Sequence, residues 1–145
     1  MYKLAIGLAF VFLCGPAFSQ QEIARDPCST DLSIALDAYL CSEAKLAVAE
    51  PKLAEALSSA IAAFPKKQGN GLLVTRTDIE LSQKLWLSYT NKNCSLISAL
   101  PGRAGDWHYP YANESFCKLR EIESRIELLN KWKACAIEGG GICLP

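Results

Sequence analysis

The chain has 145 residues, 50% of them hydrophobic, and its 15 basic side chains are matched by 15 acidic ones. That balance leaves no basic excess of the kind nucleic acid or an anionic membrane surface requires. Seven cysteines stand beside a single histidine, His108, with no Cys-x-x-Cys pair, which argues for disulfides over a metal site.

Residues 1–19 read as a signal peptide. Lys3 supplies the positive start, Leu4 to Leu13 the apolar stretch, and Ala17-Phe18-Ser19 the small residues that favour cleavage before Gln20. The apolar run is short for a membrane span. An uncleaved anchor is the rival reading, and Leu13 stands where a lipoprotein signal on Cys14 needs a small residue. Cleavage removes Lys3 and Cys14, so the 15 basic groups become 14 and the seven cysteines become six. An even set of thiols in an exported chain predicts three disulfides. Residues 20–145 then form one domain, long enough for its own core.

The expected fold class is all-α, a small antiparallel helical bundle stapled by disulfides. A short helix is predicted near Thr30 to Leu40 and a longer one from Ser42 to Phe64. In the second, Leu46, Leu53, Leu57, Ile61 and Phe64 recur at helical steps among helix-favouring alanines. Pro51 either kinks this helix or restarts it. Pro65 and Gly69-Asn70-Gly71 end it, and Leu72 to Thr75 reads as briefly extended.

The next helix is predicted to start at Thr77 or Asp78, because Thr77 and Glu80 have capping-box spacing. Ile79, Gln83, Trp86 and Thr90 lie on one stripe, which Leu81, Leu85 and Tyr89 widen. The last helix is expected from about Asn113, as cap, to Ala136. Its apolar face carries Phe116, Leu119, Ile122, Ile126, Leu129 and Trp132. The pairs Glu114 with Lys118, Glu121 with Arg125 and Glu127 with Lys131 have acid-first spacing, each worth roughly 0.2 to 0.5 kcal/mol on a solvated face.

Between these helices, Pro101 to Tyr111 is read as an aromatic-rich loop. Asp106, Trp107, His108, Tyr109 and Tyr111 are its candidate partner-binding residues, since exposed aromatics concentrate binding energy. The alternative is that Trp107 and Tyr109 fold back as a lid on the core. Catalysis has little support. The chain contains no Gly-x-Ser-x-Gly turn, phosphate-cradling loop or His-Glu-x-x-His pair, and His108 beside Asp106 is a weak acid–base signal. The expectation is a protein without catalytic residues, cofactor or metal. Two glycosylation triplets, at Asn93 and Asn113, read as chance matches because one contains Cys94 and the other begins a predicted helix.

Ile79, Gln83, Trp86, Tyr89 and Cys94, followed by Cys117, Arg125 and Leu128 or Leu129, form a spaced motif. On these residues, from Ile79 to Leu129, and on the upstream pair Cys28 and Cys41, the chain resembles the LprI-like family of exported bacterial proteins, whose best-known member inhibits lysozyme. It departs from the family pattern at Thr90, Glu50 and Ile122, and the segment from Cys135 to Cys143 looks like an addition. The resemblance implies a periplasmic or secreted binding protein whose partner is a lysozyme or another wall hydrolase. The alternative is an interaction or immunity module with a different protein partner.

The resemblance, together with sequence proximity, favours the pairs Cys28–Cys41, Cys94–Cys117 and Cys135–Cys143. The first would close a loop worth roughly 3 kcal/mol by chain entropy. Within the motif, Gln83 is positioned to tie two helices together through its amide. Arg125 is expected to lie across an aromatic face or to pair with a carboxylate such as Glu50. Trp86 and Tyr89 are read as packing residues.

Overall fold

The structure is a computed structural model, described here for residue 26 and residues 28–29, 34–68, 74–99 and 108–138. The expected signal peptide, the Gly69-Asn70-Gly71 turn, Asp106, Trp107 and Cys143 lie outside the described residues.

Over the described residues the chain is all-α, with three helices in mutual contact, α1 (Ala35–Ala63), α2 (Arg76–Ser98) and α3 (His108–Glu138). Cys94 near the end of α2 is bridged to Cys117 near the start of α3, so these helices run antiparallel. Ser115 near the start of α3 bonds Glu43 near the start of α1, with 2.6 Å between Oγ and Oε1, and Leu129 joins Ala56, Ala60 and Phe64 toward the other end. Consecutive helices therefore alternate in direction, and α1 and α3 lie side by side in parallel. No described helix is long and apolar enough to cross a membrane.

The principal core is the contact of α1 with α3, and on α1 it is made largely of small residues. Ala35, Ala38, Ser42, Leu46, Ala49, Ala56, Ala60 and Phe64 are buried at steps of three, four and seven. Side chains this short let the two backbones approach closely, and Leu119, Ile122 and Leu129 of α3 fill the spaces between them. Leu53, Leu57 and Ile61, expected at the centre, are partly buried beside this line. The alanines that sequence periodicity treats as helix formers are themselves the contact face.

Two predicted boundaries are corrected. The separate segments around Thr30 to Leu40 and Ser42 to Phe64 are one helix over the described residues, beginning at Ala35 and continuing through Pro51. Pro51 is exposed, so the carbonyl of Ala47 that loses its helical donor is on the side where water can bond it. Nor does α3 begin at Asn113. His108, Tyr109, Pro110 and Tyr111 form its first turn, where the N–H that proline lacks would have no helical acceptor. Burial of Ala112 and Ser115 against α1 extends the helix toward its N-terminus.

The start of α2 is also displaced, to an N-cap at Thr75. The Asp78 carboxylate accepts from the Thr75 N–H at 2.8 Å and from its hydroxyl at 2.7 Å, both through Oδ2. The spacing of three is the expected one, with Thr75 and Asp78 in place of Thr77 and Glu80. One residue on, Arg76 reaches back to the end of α1, where Nε donates to the Phe64 carbonyl at 2.7 Å and the N–H to that of Pro65 at 3.0 Å. A cation there meets the negative end of the α1 dipole and satisfies a terminal carbonyl.

Candidate functional site

Two groups of side chains stand out, one inside the molecule and one at its end. The inner group is centred on Arg125, which α3 directs toward α2 and which is only 5% exposed. Its Nε donates to Gln83 Oε1 at 2.9 Å and an Nη donates to Ser82 Oγ at 3.1 Å. The guanidinium carbon lies 5.7 Å from the Trp86 ring centre and 5.0 Å from that of Trp132. Each ring lends the cation its negative face, a contribution of about 0.5 to 2 kcal/mol according to desolvation.

These contacts give the spaced motif a physical meaning. Gln83 ties α2 to α3 as expected, and Arg125 takes the aromatic option over a carboxylate. It makes no ion pair with Glu50 or Glu121 among the described residues, whereas Glu114–Lys118 and Glu127–Lys131 do pair, at 2.6 and 2.7 Å. Burial pushes the Arg125 guanidinium below its ordinary pKa. It stays charged, since an arginine titrates far above neutrality. Ile79 is buried, and with Phe64, Val74, Ser82, Trp132 and Ala136 it borders a largely apolar cavity of about 310 Å³ at the end of the bundle, with Asp78 at its edge. Thr90 is also buried, and its hydroxyl has no hydrogen-bond partner among the described residues.

Tyr89 does not share this arrangement. It is exposed, together with Leu81 and Leu85, so the three residues expected to widen the inward face of α2 lie on its outer side. The inward stripe is narrower and more polar than the sequence pattern suggests, because Gln83, Ser82 and Trp86 meet a cation on α3.

The end group surrounds the starts of α1 and α3. Of the candidate partner-binding residues, Asp106 and Trp107 lie outside the described residues, and His108, Tyr109 and Tyr111 are helical. Tyr111 remains 54% exposed and meets Tyr39 of α1 edge to face, with ring centres 6.3 Å apart. Leu36 and Leu40 on the opening turns of α1 are exposed as well. Two disulfides fasten this end. Cys28–Cys41 ties the approach segment to α1, and Cys94–Cys117 ties α2 to α3, with Cα separations of 4.7 and 5.5 Å. Both match the expected pairs. Cys135 is disulfide-bonded too, and its expected partner Cys143 lies outside the described residues.

Sequence reasoning missed Tyr39 and Ser82. Tyr39 falls two residues before Cys41, and its role depends on α1 and α3 being parallel. Ser82 precedes the motif glutamine by one residue and carries no signal of its own. No group of three or more His, Cys, Asp or Glu side chains among the described residues is arranged to hold a metal ion. Compared with models of known protein families, with characterised proteins and with solved structures, the chain matches none.

Proposed function

We propose that this protein is an exported binding protein that inhibits a lysozyme or a related cell-wall hydrolase. The observation that carries the reading is the Tyr39–Tyr111 pair, an exposed Tyr111 ring against a half-buried Tyr39 at the end fastened by two disulfides. Aromatic side chains on a rigid base supply contact area with little ordering cost on association, the chemistry of an interaction hot spot. The identity of the target rests on the motif from Ile79 to Arg125 and its resemblance to the LprI-like family. Disulfides and an export signal agree with an oxidising compartment.

The test is lysozyme-catalysed clearing of a cell-wall suspension in the presence of the oxidised protein. Dose-dependent slowing is expected. Tyr111→Ala, a change at an exposed position, should weaken inhibition at least tenfold while thermal unfolding stays within a few degrees of the parent. If no lysozyme class is slowed, the hydrolase reading fails, and the same surface would serve a protein partner of another kind.

A further inference from the structure

The outer face of α2 carries a pattern that reads the same in both chain directions. Asp78, Leu81, Leu85, Tyr89 and Lys92 follow one another at steps of three, four, four and three. On a helix this spacing keeps them in one stripe. The stripe is opposite the face that buries Ile79, Thr90 and Cys94 against the rest of the molecule. Its apolar members are between 53% and 62% exposed, with Leu85 the most exposed of them.

We propose that this stripe is a self-association surface, on which α2 pairs antiparallel with α2 of a second copy about a two-fold axis through Leu85. An antiparallel pair centred on that residue sets every stripe position against its mirror position. Leu85 meets Leu85, Leu81 meets Tyr89, and Asp78 meets Lys92. Apolar side chains oppose apolar ones throughout, and the only two charges oppose each other with opposite sign. By symmetry the ion pair forms twice. A two-fold interface demands a patch complementary to itself, and this one is.

The charged pair fixes register and direction. A parallel pairing would set Asp78 against Asp78 and Lys92 against Lys92, and a shift of one heptad would bring a charge against a leucine. Asp78 is available for the role as an anion, because its hydrogen bonds to Thr75 hold its carboxyl below the ordinary pKa. Within one chain Lys92 makes no ion pair among the described residues. Fourteen residues of rise, from Asp78 to Lys92, give a contact about 21 Å long. Such a contact is at the small end of stable interfaces, so the dimer should dissociate at micromolar concentrations.

Sedimentation velocity over a concentration series tests this, using protein purified after export with its disulfides formed. A reversible monomer–dimer equilibrium is expected. Leu85→Lys puts two like charges on the axis and should weaken association at least tenfold. Lys92→Glu should weaken it and also invert its salt response, since added salt then screens the repulsion between the introduced carboxylate and Asp78. Leu87→Lys, an exposed position off the stripe, should change nothing. All three sites are exposed, and circular dichroism checks that the variants fold. A protein that stays monomeric at every concentration, or a dimer indifferent to Leu85→Lys, overturns the proposal.

Discussion

α3 meets its two neighbours by different physics. Toward α1 it presents Leu119, Ile122 and Leu129 to a line of alanines and a serine, a contact governed by close approach and apolar area. Toward α2 it presents Arg125, with its own Trp132 over the guanidinium, to Gln83, Ser82 and Trp86, and a disulfide closes the far end. The first contact tolerates any register that keeps small residues opposite large ones. The second is specified by direction, because a guanidinium satisfied by named acceptors fits only one placement of α2. Affinity between helices and uniqueness of their arrangement are thus supplied at different faces of one helix.

The largest effect should come from the apolar side. Leu129 is fully buried at the junction of the three helices, and Leu129→Ala is expected to cost about 4 kcal/mol by urea unfolding. A cost near zero would mean that the two faces are less distinct than described. Ala60→Leu tests close approach directly. Added bulk where Ala60 has no exposed surface should destabilise by about 2 kcal/mol, despite the better burial that leucine would offer elsewhere.

The polar side should show coupling in place of size. Gln83→Leu alone removes the acceptor of a charged donor and should cost about 2 kcal/mol. Combined with Arg125→Met it should cost less than the sum of the two single changes by about 1 kcal/mol. Strict additivity in that cycle would show that the contact is packing alone. Thr90→Val should have the opposite sign. It removes a buried hydroxyl without a partner among the described residues and is expected to raise stability by about 1 kcal/mol.

The smallest effect is electrostatic and lies at the α2 cap. Hydrogen bonds from the Thr75 side chain and backbone hold the Asp78 carboxyl below its ordinary value of 3.8. The unfolded chain therefore binds this proton more readily than the folded one. The contribution is complete above that ordinary value and is lost as pH falls through the lowered one. A plot of stability against pH for Asp78→Asn should run flatter than that of the parent in this acid range and parallel to it near neutrality.

Much of the helical fold was legible in the amino-acid pattern, and the gaps have physical causes. The apolar repeat from Phe116 to Trp132 marks α3 because large residues at helical steps have few other uses. The close-packed face of α1 escaped the pattern because alanine signals helix formation and burial with the same letter. The outward turn of Leu81, Leu85 and Tyr89 escaped it for a related reason. An apolar stripe implies something to bury against without saying whether that partner is in the same chain. Gln83 and Arg125 were legible as a tie between helices, whereas Ser82 and Tyr39 depend on tertiary placement that no local spacing encodes.

The cation between Trp86 and Trp132 also makes the molecule its own optical probe. α1 contains no tryptophan, so once Trp107 is changed to phenylalanine, indole emission comes from these two rings and reports on the setting of α2 against α3. Far-ultraviolet ellipticity reports the helices together. Unfolding followed by both signals would reveal any state in which α2 has swung away from an intact pair of parallel helices, as a change of colour that precedes the loss of helix.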